Sequence, residues 1–185
     1  MAYFIRPAQH VDAIGISRVI VSALRLTNAK DYSEEVIARV AQGFSPEGVS
    51  NLLARRLVFV AISDEAVIGT ASLDGSVVRT VFIEPSWQGV GVGRALMDTV
   101  ERVAVEEGVV TLAVSSSVTA EPFYRKLGFT AVSDSYHGDE RTIIMERGLL
   151  AGPKGRSSSI DLRPISSEPL AQSHASIRQR RLPCS

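Results

Sequence analysis

The segment VFIEPSWQGVGVGRALM, residues 81–97, joins an apolar run to a helix-forming sequence through three alternating glycines. Glycine inside a helix costs about 1 kcal/mol relative to alanine, so Gly89, Gly91 and Gly93 need a physical reason. A helix start exposes unpaired backbone N–H groups and the positive end of the helix dipole. Where side chains are absent, a phosphate group can approach those N–H groups closely. The segment therefore predicts a phosphate cradle, and the alternative is a tight strand-to-helix turn without a ligand.

The valines between the glycines, Val90 and Val92, are predicted to anchor this loop to the core. Two common phosphate motifs do not fit the segment. A dinucleotide site needs G-x-G-x-x-G directly after a strand, whereas the spacing here is G-x-G-x-G and residues 85–88 intervene. A nucleoside triphosphate loop needs G-x-x-x-x-G-K-[ST], which the sequence does not contain. The pattern alone leaves the phosphate ligand open.

Three strands are predicted immediately before the loop. They are RLVFVAIS (residues 56–63), AVIGTASL (66–73) and SVVRTVFIE (76–84). The first two are joined at Asp64–Glu65, and the second meets the third across Asp74–Gly75. An Asp-Gly pair between β-branched runs is a strong signal for a β-hairpin. These strands are therefore expected to form an antiparallel meander.

The rest of the first 150 residues alternates between strand and helix patterns. A strand at residues 3–7 ends at Pro7, and Ser33 and Ser45 are predicted to cap the second and third helices. Further on we expect a helix over 91–107, a strand over 109–115, a short helix over 119–128, and strands over 129–133 and 141–146. The first helix is predicted from Gln9 to about Leu26, from the helical spacing of Val11, Ile14, Val19, Ile20 and Ala23. This order predicts an α+β fold with a mixed, mostly antiparallel central sheet flanked by helices.

Two segments together resemble the GNAT superfamily of N-acetyltransferases. In that family a strand and a proline lead into [QR]-x-x-G-x-[GA], which Gln88, Gly91 and Gly93 match. The segment AEPFYRKLGF, residues 120–129, is similar to the second signature, with a Phe-Tyr pair followed by Gly-Phe. The resemblance covers residues 4–147 and implies a GNAT-like fold, with acetyl-CoA as the cosubstrate.

The resemblance also implies which residues hold acetyl-CoA. Main-chain atoms of Val81, Phe82 and Ile83 would pair with the pantetheine arm, beside a following strand that splays away, and a backbone N–H near Ile83 would stabilise the oxyanion. Ser117 stands where family members often have an asparagine that contacts the cofactor, and a hydroxyl would be a weaker substitute. The backbone N–H groups facing the pyrophosphate would be those of Gln88, Gly89, Val90, Gly91, Val92, Gly93 and Arg94.

Two residues are candidates for proton transfer. The family position for protonating the departing thiolate is Tyr124, whose ordinary pKa near 10 keeps it protonated at neutral pH. The alternative for Tyr124 is an aromatic side chain that only packs against the sheet. Glu84 is either a general base or a solvated carboxylate at a strand end. Further candidates for the base lie in loops predicted to face the substrate: Asp31, Glu34, Asp139 and His137.

Composition excludes several classes of function. The 185 residues carry 20 basic and 20 acidic side chains, so no electrostatic footprint for nucleic acid or an anionic membrane is present. The lone Cys184 cannot form an internal disulfide or supply a metal cluster, which favours a reducing cytoplasm and no metal site. Neither a signal peptide nor a membrane span is predicted. Residues 1–150 are predicted to form the acetyltransferase domain, and residues 151–185 a disordered tail rich in Ser, Pro and Arg.

The functional prediction is direct transfer of acetyl from acetyl-CoA to a primary amine of a small molecule or peptide. The alternative is a non-catalytic acyl-CoA sensor or interaction module whose basic tail engages a partner. An amine linked to nucleic acid is disfavoured because residues 1–150 carry an excess of acidic side chains. The acidic segments NAKDYSEE and SDSYHGDE favour a cationic amine. The sequence leaves the acceptor and the oligomeric state open, with a homodimer among the alternatives.

Overall fold

The computed structural model describes residues 2–27, 29, 32–137 and 140–149, and the side chains of His137 and Glu140 are outside that description. Asp31, Asp139 and the predicted tail, residues 151–185, lie outside the described residues. The same holds for the His137 side chain, so these predictions stay predictions.

Within the described residues, seven strands and five α-helices follow one another in the predicted order. The strands are β1 (Phe4–Pro7), β2 (Leu57–Ser63), β3 (Ala66–Asp74), β4 (Val77–Ile83), β5 (Thr111–Ser116), β6 (Thr130–His137) and β7 (Glu140–Gly148). The helices are α1 (Ala13–Leu26), α2 (Glu34–Gly43), α3 (Pro46–Leu53), α4 (Val92–Glu106) and α5 (Glu121–Lys126). Short 3₁₀ turns precede α1 and follow β4.

The strands form one sheet in the order β1-β2-β3-β4-β5-β7-β6. Every neighbouring pair is antiparallel except β4 and β5, which run parallel. The predicted α+β class and antiparallel meander are confirmed. The second hairpin turns one residue later than predicted: Asp74 pairs with Val77, so Gly75 and Ser76 form the two-residue loop. Gly75 supplies the positive φ, +60°, that such a loop requires.

The caps predicted for α2 and α3 are present. Ser33 Oγ accepts a hydrogen bond from the N–H of Val36 at 3.4 Å, and Ser45 Oγ accepts one from the N–H of Gly48 at 3.2 Å. Each bond satisfies a backbone donor that the helix itself leaves unpaired.

The first helix differs from its prediction. It begins at Ala13 rather than Gln9, because a 3₁₀ turn over His10–Asp12 comes first. Val11 and Ile14, which were assigned to the buried face, are 80% and 72% exposed. The buried face instead runs along Ala13, Ile16, Val19, Ile20, Ala23 and Leu24. Val11 lies in the 3₁₀ turn, and Ile14 lies five residues before Val19, about 140° around the helix axis, so both were assigned wrongly to the buried face.

The sheet is covered on both faces by apolar clusters. Helices α1, α2 and α3 pack on one face, where Ile20, Phe44 and Phe82 are buried. Helices α4 and α5 pack on the other, where Leu96 and Phe129 are buried. In this three-layer arrangement β4 and β5, neighbours in the middle of the sheet, lie between two layers of helices.

Candidate active site

A cavity of about 590 Å³ opens where β4 and β5 separate. The two strands pair at Val77 with Ala113 and at Val78 with Val114, near the beginning of β4. Beyond these pairs, residues 79–83 of β4 and 115–117 at the end of β5 line opposite walls of the cavity. Separated strand edges of this kind present backbone N–H and C=O groups to whatever lies between them.

A bulge in β4 accompanies this separation. The register between β3 and β4 shifts between Thr70 and Ser72, where β4 contains one extra residue. Thr80 takes a left-handed backbone conformation there, with φ of +49°. Such a conformation is costly for a β-branched residue. Ser72 Oγ donates to the carbonyl oxygen of Arg79 at 3.0 Å and lies 2.6 Å from Thr80 Oγ1.

The three glycines of the loop serve different purposes. Gly89 and Gly91 have φ of +78° and +95°, a region that L side chains rarely adopt. Gly93 lies inside α4, where a Cβ would come 3.3 Å from the ring of Phe123. The first two glycines therefore shape the turn, and the third allows α4 and α5 to pack closely.

The helix that follows is exposed to the cavity at its N-terminus. Gly91 is the N-cap of α4 and provides no side chain to cap the first N–H groups. Val92 is buried as predicted, but Val90 is 56% exposed, so the prediction that it anchors the loop is wrong. The turn made by Gly89 and Gly91 directs the Val90 side chain away from the core. The loop is held instead by Gln88.

The Gln88 side chain ties the loop to two other elements. Its Nε2 donates to Thr27 Oγ1 at 3.0 Å and to the carbonyl oxygen of Ile83 at 3.3 Å. Thr27 is the C-cap of α1, so this side chain connects the end of α1 to the end of β4. These partners could not be predicted from the sequence, because Thr27 is distant from Gln88 along the chain.

Tyr124 lies on α5 and lines the cavity. Its ring packs edge to face on Phe123 and Phe129, with centroid distances of 5.1 and 5.7 Å. Burial raises the pKa of the Tyr124 hydroxyl above its ordinary value, because the charged phenolate would lose its solvation. The side chain thus contributes to the core and remains a protonated group at the cavity wall.

Glu84 does not line the cavity. Its Oε1 accepts a hydrogen bond from Ser22 Oγ of α1 at 3.1 Å. Ser117 does line it, and its Oγ accepts a hydrogen bond from the N–H of Ala120 at 3.2 Å. The Ser117 hydroxyl therefore also helps to fix the start of α5.

The cavity brings together most of the residues predicted from the sequence. Among the described residues, Glu34, at the start of α2, does not line it, and neither do Glu84, Val90 and Val92. Those that do are Val81, Phe82, Ile83, Gln88, Gly89, Gly91, Gly93, Arg94, Ser117 and Tyr124.

The charged side chains that line the cavity are basic. Asp31 and Asp139, from the two acidic segments, lie outside the described residues, so the prediction of a cationic amine stays a prediction. The charged lining residues, within the described part of the chain, are Arg56, Arg79, Arg94 and Lys126, with no carboxylate. No set of three or more His, Cys, Asp or Glu positioned to hold a metal ion occurs among the described residues. Across the same residues, no helix has both the length and the apolar character to cross a membrane.

The sequence is similar to a family model and to known acetyltransferases. The family model described as "Acetyltransferase (GNAT) domain" matches residues 28–144. YafP of Escherichia coli (strain K12), named as an uncharacterized N-acetyltransferase, is 28% identical over 128 residues, covering 69% of this chain and 81% of YafP.

Two solved structures share the fold. A GCN5-related N-acetyltransferase from Rhodopseudomonas palustris has a TM-score of 0.75 and 26% identity, over 80% of this chain and 97% of that one. The PaiA N-acetyltransferase of Thermoplasma acidophilum, in complex with coenzyme A, has a TM-score of 0.71 and 22% identity. Its match covers 80% of this chain and all of the other.

Proposed function

The chain belongs to the GNAT family of acetyltransferases, and from that premise we propose that it transfers acetyl from acetyl-CoA to a primary amine of a small molecule or peptide. The observation that carries the proposal is the cavity itself. It runs between the separated edges of β4 and β5, with the glycine-flanked start of α4 and the Tyr124 side chain both in its wall. The proposed phosphate site and the proposed proton donor thus line one cavity.

The start of α4 is the proposed pyrophosphate site. Its first backbone N–H groups have no partner within the helix, and the positive end of the helix dipole points the same way. Gly91 leaves this end without a side chain, and Arg94 adds a positive charge to the cavity lining. Both features suit a diphosphate anion.

The separated strands are the proposed site for the pantetheine arm. Val81 and Ile83 on one side and Ser115 and Ser117 on the other line the space between them. Backbone groups on a strand edge can pair with an amide-containing chain as they would with another strand. The N–H near Ile83 is the proposed donor to the oxygen that becomes negative during acyl transfer.

The proposed reaction moves acetyl in one step between two substrates. The amine nitrogen forms a bond to the acetyl carbon as the carbon–sulfur bond breaks, and Tyr124 gives its proton to the departing thiolate. An ammonium acceptor loses two protons on becoming an amide, so one proton restores Tyr124 and the other leaves for solvent. A protonated phenol suits the donor role because burial keeps Tyr124 neutral well above physiological pH.

Glu84 is the proposed acceptor for the amine's first proton. Its carboxylate is held by Ser22 outside the cavity wall, so the proton must reach it through a water molecule. Ile83, the residue before Glu84, does line the cavity, which keeps this path short.

The test combines turnover with binding. Release of the coenzyme A thiol from acetyl-CoA is followed across a library of primary amines, and coenzyme A binding is measured by calorimetry. Thiol release that depends on an amine supports the proposed function. Tight binding without release for any amine would support a non-catalytic acyl-CoA sensor instead. Absence of binding would contradict both.

A further inference from the structure

The cavity reaches both faces of the sheet through the gap between β4 and β5. Tyr124 and Leu127, which line it, belong to the apolar cluster under α4 and α5. Other lining residues belong to the cluster under α1, α2 and α3, namely Ala23, Phe44, Leu52 and Phe82. We call this second part of the cavity the α1–α3 end. The cosubstrate contacts proposed above use the first face and the gap, so they leave the α1–α3 end for the acceptor.

The two residues proposed for proton transfer lie on opposite sides of this gap. Tyr124 belongs to α5, on the first face. Glu84 accepts its hydrogen bond from Ser22, which directly precedes Ala23 on α1, on the second face. The proposed donor to the thiolate therefore lies toward the cosubstrate, and the proposed acceptor of the amine's proton lies toward the α1–α3 end. An amine in that end meets the acetyl group from the side of its base.

The wall of the α1–α3 end is apolar and closely packed. Ala23, Phe44, Leu52 and Phe82 are each at most 9% exposed and belong to one cluster. The rings of Phe44 and Phe82 pack edge to face with centroids 6.1 Å apart, so a ligand contacts the cavity side of this wall and does not enter between the rings. Such a wall favours a hydrocarbon group on the ligand, since burying apolar surface is favourable.

The charged side chains at this end are cationic. Arg56 follows Leu52 by one helical turn, and its N–H donates to the Leu52 carbonyl oxygen at 3.0 Å. The Nε atoms of Arg56 and Arg79 each lie 3.3 Å from Asp74 Oδ2, and Asp74 does not line the cavity. Among the described residues no carboxylate lines it. A second ammonium group on the acceptor would lose its hydration here and gain no counter-ion from the described lining.

We propose that the acceptor is a small monoamine whose remaining part is apolar, and that this apolar part lies in the α1–α3 end. The inference rests on the proposed acetyl transfer and specifies the class of its acceptor. The amine nitrogen then lies in the gap between β4 and β5, where it forms its bond to the acetyl carbon. Polyamines, aminosugars and lysine-rich peptides fall outside this class, because each would bring further charged or hydroxyl groups against an apolar wall.

The experiment compares hexylamine with 1,5-diaminopentane. The two amines have the same number of non-hydrogen atoms and differ only at the end away from the reacting nitrogen, where a methyl group replaces an ammonium group. Calorimetry with coenzyme A present measures the Kd of each amine, and thiol release from acetyl-CoA is measured separately. We expect the wild-type protein to bind hexylamine about tenfold or more tightly. Equal binding, tighter binding of 1,5-diaminopentane, or binding of neither would overturn the inference.

A charge added at Gly43 tests where the far end of the acceptor lies. Gly43 ends α2 and lines the cavity, and a Cβ added there would meet no heavy atom within 4 Å outside its own helical turn. Gly43→Asp supplies a carboxylate at this end, and Gly43→Asn supplies a side chain of the same shape without the charge. The preference for hexylamine should be about threefold or more smaller in Gly43→Asp than in Gly43→Asn. The same preference in both variants would contradict the placement of the acceptor in the α1–α3 end.

The two readouts separate this inference from the proposed function. Selective binding of hexylamine without any thiol release would support the acceptor class and contradict acetyl transfer. Thiol release with both amines at equal rates, together with unselective binding, would support acetyl transfer and overturn the acceptor class.

Discussion

The side-chain oxygens of Ser72 and Thr80 lie 2.6 Å apart across β3 and β4, at the bulge beside the cavity. Because Ser72 donates its proton to the carbonyl oxygen of Arg79, Thr80 must be the donor in the contact between the two hydroxyls. This chain of two hydrogen bonds offsets part of the strain at Thr80, which has φ of +49°. Ser72 therefore supports the strand shape that opens the cavity.

Ser72→Ala should weaken both the fold and the binding of coenzyme A. It removes the partner of Thr80 Oγ1 and of the Arg79 carbonyl, at a cost of about 1–3 kcal/mol in the free energy of unfolding. The bulge then relaxes and changes the β4 edge that is proposed to hold the pantetheine arm. Urea unfolding and calorimetry measure the two effects.

Thr70→Val is the matched control for this prediction. The Thr70 hydroxyl also lies on β3 and donates to a backbone carbonyl, that of Phe59, at 3.1 Å. Its removal should destabilise the protein by a similar amount and leave coenzyme A binding unchanged. If Ser72→Ala binds coenzyme A as Thr70→Val does, the bulge has no part in binding.

Gly91→Asp should abolish most coenzyme A binding relative to Gly91→Asn. Both side chains have nearly the same shape, and both tolerate the left-handed conformation that φ of +95° demands. They differ in one negative charge beside the proposed pyrophosphate site, which should lower affinity roughly tenfold or more. The calorimetric Kd of each variant checks this.

The control is the same pair of substitutions at the other end of α4, Gly108→Asp and Gly108→Asn. Gly108 also has a positive φ, +80°, but it follows the C-terminal end of α4. These two variants should bind coenzyme A equally well. If the two Gly91 variants also bound coenzyme A with equal affinity, the proposal that the pyrophosphate binds at the start of α4 would be contradicted.

Asp12→Asn should destabilise the protein at neutral pH but not in acid. The Asp12 carboxylate is buried and accepts hydrogen bonds from both Nη atoms of Arg6, at 2.7 and 2.9 Å. The hydrogen bonds from Arg6 lower the pKa of Asp12. A lowered pKa contributes stability that is present above the unfolded pKa near 4 and is lost as the pH falls through the folded pKa.

We expect Asp12→Asn to cost about 2 kcal/mol at pH 7, with the difference from wild type shrinking below about pH 4. Urea unfolding of both proteins across pH measures it. Glu106→Gln, which breaks the exposed pair between Arg102 and Glu106, should cost about 0.5 kcal/mol or less. If the difference in free energy of unfolding between Asp12→Asn and wild type stayed constant down to pH 2, the pH-dependent stability would not come from the Asp12 carboxylate.

Local patterns were sufficient to predict the order of the elements. Alternation, the two hairpin turns and the caps at Ser33 and Ser45 are properties of neighbouring residues, so they can be read from a short window. The first helix shows the limit of such a window. Val11 fits a helical stripe in the sequence, but a 3₁₀ turn at His10–Asp12 delays the helix and leaves Val11 exposed.

The cluster of Arg56, Asp74 and Arg79 beside the cavity could not be predicted because its residues meet only in the folded chain. Arg56, Asp74 and Arg79 belong to three different segments and converge through the pairing of β2, β3 and β4. The bulge at Thr80 was equally hidden, since a threonine in a strand pattern predicts ordinary extended backbone. The glycine loop and the Phe123–Tyr124 pair were predictable because each is contiguous in sequence.

Tyr124→Phe should lower kcat about 100-fold and leave the affinity for coenzyme A nearly unchanged, because it removes the proposed proton donor and keeps the ring that packs on Phe123 and Phe129. Steady-state thiol release and calorimetry measure the two quantities. Tyr136→Phe removes the hydroxyl of an exposed tyrosine on β6, away from the cavity lining, and should leave kcat unchanged. Because burial raises the pKa of Tyr124, its deprotonation cannot cause a fall in wild-type kcat below pH 10. Full activity in Tyr124→Phe would exclude this hydroxyl from the reaction.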